Sequence, residues 1–66
     1  MKEFHSLNVG DLVYSKIYKD LFMITEVASG GAIKAIILKS PDLPRREGKK
    51  TTMTWHYYDM FCEFVG

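Results

Sequence analysis

A chain of 66 residues, 47% of them hydrophobic and 14% aromatic, is long enough for one small domain and too apolar for a disordered segment. Its single cysteine, Cys62, excludes an intramolecular disulfide, and with it the small secreted scaffolds that depend on such bonds. The formal net charge of +1 and the pI of about 7.9 argue against a dedicated nucleic-acid-binding domain, since those domains usually have a pI above roughly 9.

The sequence also shows no apolar segment of the kind that directs a chain into a membrane. Residues 1–12 contain no apolar run of signal-peptide length, and nowhere do roughly 18 apolar residues follow one another. We therefore expect a cytoplasmic protein that does not bind a membrane and forms a single domain over residues 1–66.

The first part of the chain predicts a flexible segment followed by a β-hairpin. Residues 1–8 show no clear period, and we expect them to be flexible, with Phe4 and Leu7 as a short lid over one end of the core. The next segment is rich in β-branched and aromatic side chains, which favour strands near 11–18 and 21–28 joined by a tight turn. Because a lone two-stranded hairpin is marginal in water, it must recruit further strands.

A glycine-rich turn at 29–31 and the segment 32–39 predict a third strand. Helix propensity alone also allows a helix here, but the short length and the Gly-Gly and Ser-Pro flanks favour a strand. Ile33, Ala35 and Ile37 share one face of this strand, and apolar residues also occur on the other face. This pattern indicates a strand that is covered on more than one side or that contacts a partner.

The end of the chain predicts two more strands around a single helical turn. Residues 51–56 form the fourth strand, in which alternation directs Met53 and Trp55 inward. Residues 56–59 look like one helical turn, and residues 61–65 form a short closing strand.

The segment 40–50 is the one long loop of the chain, and it is basic. Two prolines and a glycine disfavour regular structure there, and long loops in compact domains are often functional. Residues 34–50 hold six basic residues against two acidic ones, whereas the rest of the chain holds three against six. The candidate binding residues in this loop are Arg45, Arg46, Lys49 and Lys50, and Lys34 and Lys39 can extend the patch. These cations suit phosphates or carboxylates, but a loop that only keeps the protein soluble is an equally good interpretation.

Tyr57 and Tyr58 are the other candidate binding residues. They follow Trp55 at the helical turn, where exposed rings can stack on bases or on proline-rich peptides. For Trp55 a core position is favoured. One of the two tyrosines should be exposed, because a helical turn cannot easily bury both on one side.

The core is expected to contain seven large apolar residues of the predicted strands. These residues are Val13, Ile24, Val27, Ile37, Met53, Trp55 and Phe64. Cys62 is expected to be a buried structural cysteine, since free cysteine is among the most buried residue types.

No residue pattern indicates catalysis, a cofactor or a metal site. Cys62 with His5 or His56 is the one thiol–imidazole pair available, and a nucleophile needs an adjacent base and usually an orienting group. Phosphate-binding motifs and the ligand spacings of zinc sites do not occur, and the carboxylates are scattered. We expect no enzymatic activity, no cofactor and no metal.

The order of the predicted elements is that of a small, strongly bent antiparallel barrel. The opening Gly-Asp-Leu-Val at 10–13, the second strand at 23–27 and the ending at 55–64 resemble the Src-homology-3-like small barrel, a fold shared by Tudor and KOW-type modules. Many small phage-encoded and bacterial proteins of unknown function look like this. The resemblance implies an all-β, five-stranded antiparallel SH3-like barrel with one short helical turn before the last strand.

Two functions remain open from the sequence. The first is a non-catalytic protein-interaction module, such as a small phage-type regulator that docks on a host protein through an exposed strand edge or an aromatic surface. The alternative is a weak nucleic-acid-binding small barrel that uses the basic residues 45–50 and exposed aromatic side chains. The near-neutral pI favours the first, so another protein is the expected partner and nucleic acid the alternative.

Overall fold

The fold is an antiparallel sheet with one short helix. The computed structural model describes residues 2–28 and 30–66. The strands are β1 (Leu12–Ser15), β2 (Leu21–Val27), β3 (Ile33–Lys39), β4 (Lys50–Met53) and β5 (Cys62–Phe64). One α-helix, α1 (Trp55–Phe61), precedes β5, and short 3-10 helices lie at Phe4–Ser6 and Pro44–Arg46.

The five strands form one sheet in the order β4-β3-β2-β1-β5, and every neighbouring pair is antiparallel. β1 pairs with both β2 and β5, so the first and last strands are neighbours. Within the described residues no pairing joins β4 to β5, which leaves the sheet open with two free edges. The predicted all-β class is confirmed.

The hairpin of β1 and β2 is confirmed, with a shorter first strand than predicted. β1 ends at Ser15 because the chain then turns, and Lys19 in this turn has a left-handed φ of 58°. The N–H of Ser15 donates to the carbonyl of Asp20 at 2.8 Å, which closes the turn. Leu21 pairs with Lys39, so the β1–β2 turn and the β3–β4 loop lie at the same end of the sheet.

The fourth strand ends earlier than predicted, because a helix begins directly after it. β4 stops at Met53, and the extended Thr54 caps the helix: its Oγ1 accepts the N–H of Tyr57 at 3.2 Å. Threonine is a favoured residue at this position. The single helical turn predicted at 56–59 is therefore the seven-residue helix α1, and Trp55 is its first residue.

Two predicted features extend beyond the described residues: the segment 1–8 at Met1 and the turn 29–31 at Ser29. Gly31 has a left-handed φ of 87°, which fits the predicted turn because glycine adopts such angles without steric cost.

The core is one cluster of buried side chains. Its members are Phe4, Leu7, Val13, Phe22, Ile24, Ile33, Ala35, Ile37, Met53, Tyr58 and Cys62. The predicted core residues Val13, Ile24, Ile37 and Met53 are confirmed, and Phe64 is half-buried and packs against the cluster. The burial of Phe4 and Leu7 fits the expected lid over the core.

Two predicted core residues are on the surface. Val27 is 44% exposed: it pairs with the buried Ile33, but it is the last residue of β2 and lies at the end of the sheet. Trp55 is 48% exposed, because it begins α1 and so lies outside the alternation of β4.

Candidate functional site

The candidate site is a cleft beside the free edge of β4. It has a volume of about 240 Å³ and is open to solvent. Residues of β4 line one side, and residues of the β1–β2 turn, β2, the basic loop and α1 line the rest. Its lining residues include Tyr18, Phe22, Arg46, Thr52, Met53 and Tyr57. The cleft thus combines buried apolar groups with two phenols and a guanidinium.

The outer edge of β4 carries main-chain groups that point away from the sheet. The N–H of Ile37 donates to the carbonyl of Lys49 at 2.9 Å, and the carbonyl of Ile37 accepts the N–H of Gly48 at 2.7 Å, so Ile37 forms a bulged hydrogen-bonded pair with these two residues. Such pairs alternate along an antiparallel ladder, which makes Thr51 the next residue that bonds to β3. The N–H and C=O groups of Lys50 and Thr52 therefore point outward, where no strand lies in the described part of the chain.

Two tyrosines anchored at Ser15 form the wall of the cleft that faces β4. The Oγ of the buried Ser15 lies 2.5 Å from the Oη of Tyr57 and accepts the N–H of Tyr18 at 3.4 Å. The Tyr18 and Tyr57 rings are nearly parallel, with centroids 6.5 Å apart and planes inclined by 19°. Desolvation raises the pKa of Tyr57, which therefore keeps its phenol proton at neutral pH.

A buried ion pair fastens the basic loop to this wall. The Nη1 of Arg46 lies 3.0 Å from the Oδ2 of Asp20, whose side chain is fully buried. Neither carboxylate oxygen of Asp20 accepts a well-aligned hydrogen bond from the described residues, so Arg46 is the group that balances this buried charge. The same guanidinium lies over the Tyr18 ring, 5.2 Å from its centroid. The charge of Arg46 is thus used within the fold.

Two hydrogen bonds also hold the basic loop, one of them to a side chain. The Oε2 of Glu47 accepts the N–H of Ser40 at 3.0 Å, and the N–H of Gly48 donates to the carbonyl of Ile37 at 2.7 Å. Between these contacts the chain makes the 3-10 helix Pro44–Arg46. The prediction that 40–50 is irregular is therefore wrong in part: the segment contains this short helix and the first residue of β4, and Gly48 holds it against β3.

The free positive charges gather at the end of the sheet that holds the cleft. Within the described residues the ion pairs are Lys2–Asp11, Lys34–Glu26 and Arg46–Asp20. The basic residues outside these pairs are Lys16, Lys19, Lys39, Arg45, Lys49 and Lys50. They lie in the β1–β2 turn, at the end of β3, in the loop or at the start of β4, all at one end of the sheet. The loop has two acidic residues, Asp42 and Glu47, against these six cations. Positive charge therefore predominates at this end of the sheet, which attracts anionic groups.

The structure brings most of the predicted binding residues to one region. Arg46 and Tyr57 line the cleft. Arg45, Lys49 and Lys50 are exposed on the loop and at the start of β4, close to the cleft in the chain.

Tyr58 belongs to the core instead of the cleft. It is 3% exposed, its O–H donates to the carbonyl of Lys2, and its ring packs against Phe4 at 5.8 Å between centroids. Desolvation raises the pKa of its phenol. Its ring therefore holds the N-terminal segment on the core and is not available to a partner.

Sequence reasoning missed the cleft residues Tyr18 and Thr52, and it missed Asp20, the buried ion-pair partner of Arg46. Alternation along the segment 50–53 could have indicated that Thr52 is exposed, because it places Thr52 on the face opposite Met53. No pattern in the sequence pairs Asp20 with Arg46, because the two residues meet only when the β1–β2 turn and the basic loop lie side by side.

A second and wider cleft lies beside Trp55. It has a volume of about 490 Å³ and is lined by the N-terminal segment and α1, with Glu3, His5 and Asp59 among its residues. The Trp55 and His56 rings meet edge to face at 4.7 Å. No strand residue lines this cleft, so it offers a partner side chains but no sheet edge.

Cys62 is a buried residue of the core, as predicted. It is 1% exposed, and burial raises the pKa of its thiol to about 11, so the thiol is protonated and unreactive at neutral pH. Within the described residues, no three His, Cys, Asp or Glu side chains lie close enough together to hold a metal ion.

The Cys62 thiol should make the stability of the fold fall at alkaline pH. Its pKa in the folded protein, about 11, lies above the ordinary value of 9.0, so the unfolded chain gives up the proton first. The corresponding stabilisation is complete below pH 9 and is lost as the pH rises towards 11. We expect a loss of up to about 2 kcal/mol in the free energy of unfolding, measured by urea unfolding across this range. Cys62→Val should show a shallower decline, and equal declines in the two proteins would contradict this role of the thiol.

Residues 2–28 and 30–66 include no helix with the length and apolar character needed to cross a membrane. Comparisons with protein-family models, with curated proteins and with solved structures found no match to this chain.

Proposed function

We propose that the chain is a non-catalytic protein-interaction module that binds an extended segment of a partner protein along the edge of β4. The observation that carries this proposal is the set of outward main-chain groups at Lys50 and Thr52, the second of which lines the cleft. A strand of another protein offers the alternating donors and acceptors that such groups need.

The cleft beside the edge can make the binding specific, because it can accept side chains of the partner segment. Phe22 and Met53 are both buried core residues, yet both line the cleft, so a side chain entering it would reach apolar surface. Tyr57 and Tyr18 add ring surface on the opposite wall. Main-chain bonds along an edge give affinity, and pockets for alternate side chains give specificity.

The fold that fits this proposal is the small SH3-like barrel, with β1 paired to both β2 and β5 and a helix placed before the last strand. The sheet order and the position of α1 support it. A cytoplasmic phage-type regulator that docks on a host protein would be one protein of this kind, and the lone buried cysteine is compatible with a reducing compartment.

Weak nucleic-acid binding is the second candidate, and the six cations outside ion pairs favour it. Arg46 balances the buried Asp20, which leaves three of the four predicted residues for phosphate contacts. The remaining contacts would give only salt-sensitive binding.

The proposal is tested by affinity capture from a lysate with two variants of one residue, with and without nuclease. Thr52→Pro removes an outward N–H but no bond to β3, whereas Thr52→Ala changes the side chain and keeps that N–H. We expect the parent protein and Thr52→Ala to capture the same protein irrespective of nuclease, and Thr52→Pro to lose it. Nuclease-sensitive capture would favour the second candidate, and full capture by Thr52→Pro would place the site elsewhere.

A further inference from the structure

We propose that the segment bound along β4 alternates acidic and apolar residues, with its apolar side chains in the cleft and its carboxylates against the basic face of the edge. This inference rests on the proposed function and names the chemistry of the partner. It follows from the two faces that β4 presents to a neighbouring strand.

The inner face of β4 selects apolar side chains. Successive side chains of a strand point to opposite faces, and in β4 the half-buried Thr51 and the buried Met53 point inward. A strand added beside β4 places every second side chain on this same face, next to Phe22 and Tyr57 across the cleft. Charged side chains would lose their hydration there, whereas apolar ones gain contacts.

The outer face of β4 selects carboxylates. Lys50 and Thr52 are exposed on this face, and the exposed Lys49 and Arg45 precede them on the loop. None of the three cations has an ion-pair partner within the described residues. Opposite charges on directly facing strand residues stabilise a sheet, and like charges destabilise it. Acidic residues at the alternate positions of the added strand share this face with Lys50, and the one that faces Lys50 satisfies the rule.

A second copy of the chain fits the edge poorly. Pairing of two β4 edges would bring the cations at Lys49 and Lys50 of both copies together. β5, the other free edge, is only three residues long, and the N–H of Cys62 is already bonded to the carbonyl of Tyr58. Neither edge of another copy therefore matches the outward groups of β4.

A nucleic acid strand also fits less well than a peptide. Phosphates accept hydrogen bonds but do not donate them, so they leave the outward carbonyls of Lys50 and Thr52 without partners. The Tyr18 ring already has the Arg46 guanidinium and the Tyr57 ring as neighbours, which limits its use as a platform for a base.

The inference is tested by NMR titration of the isotope-labelled protein with three capped peptides of about eight residues. The first alternates glutamate and valine, the second alternates lysine and valine, and the third has the composition of the first with its glutamates and valines in two blocks. We expect the first peptide to bind, to shift the amide signals of Lys50 and Thr52, and to bind more weakly as salt is added. The other two peptides should bind at least about tenfold more weakly.

The Thr52 variants, a mixed-sequence oligonucleotide and a measurement of oligomeric state test the other possible occupants of the edge. Thr52→Pro should weaken binding of the first peptide by about tenfold relative to Thr52→Ala, since one main-chain bond is lost. Equal binding of the acidic and basic peptides would overturn the inference. So would tighter binding of a mixed-sequence oligonucleotide at the same amides, or a concentration-dependent oligomer that Thr52→Pro abolishes. If no peptide binds while capture from lysate still depends on the Thr52 N–H, this inference fails and the proposed function stands.

Discussion

Arg46→Met is expected to destabilise the fold by about 3 kcal/mol, although Arg46 lies on a surface loop. The guanidinium is the group that balances the carboxylate of Asp20, which is fully buried and has no well-aligned hydrogen bond from the described residues. Removal of one partner of a buried pair leaves an uncompensated charge, which typically costs about 3–5 kcal/mol. The lower end applies here because the Arg46 side chain is 30% exposed, so water can partly replace it.

The effect is measured by urea unfolding with a matched control and a double-mutant cycle. Arg45→Met removes the neighbouring exposed cation and should change the free energy of unfolding by no more than about 0.5 kcal/mol. In an Asp20→Asn background the carboxylate charge is absent, so Arg46→Met should cost much less than in the parent. Equal costs of Arg46→Met in the two backgrounds would show that the ion pair does not hold the loop.

Thr51→Pro should destabilise the protein by about 1–3 kcal/mol, while Thr52→Pro should change its stability by about 0.5 kcal/mol or less. The N–H of Thr51 faces β3, and its pairing residue Ala35 is fully buried, so proline at 51 leaves a buried carbonyl without its donor. The N–H of Thr52 faces outward, and proline is tolerated at such positions of edge strands.

Both variants put the same residue type on the same short strand, so each is the other's control for the general effect of proline. Thermal unfolding of the pair gives the comparison directly. If Thr52→Pro were as destabilising as Thr51→Pro, the outward N–H would have a partner inside the protein, and the edge of β4 would not be free.

The strand segments were predictable from the sequence because each depends on local patterns. The third strand is flanked by Gly-Gly and Ser-Pro, and its buried residues Ile33, Ala35 and Ile37 follow the expected alternation. Two predictions failed for local reasons that alternation does not reveal. Thr54 interrupts the fourth strand as a helix cap, and Val27 is exposed because it is the last residue of β2, at the end of the sheet.

The candidate site was only partly predictable, because its members come from four separate segments. The basic loop and Tyr57 were visible as a charge cluster and an aromatic residue. The different roles of Arg45 and Arg46 were not, since adjacent arginines look alike in the sequence and only Arg46 reaches the buried Asp20. The free edge itself is a property of sheet order, and pairing partners that lie far apart in the chain decide that order.

Amide hydrogen exchange along β4 tests most directly whether this edge is open for a partner. In the free protein at low concentration, the amides of Lys50 and Thr52 should exchange quickly, and those of Thr51 and Met53 should be protected by their bonds to β3. Protection that alternates in this way, read residue by residue from NMR spectra, is the predicted result. Uniform protection of all four amides would mean that another part of the chain or a second copy already covers the edge, and would contradict the proposed binding site.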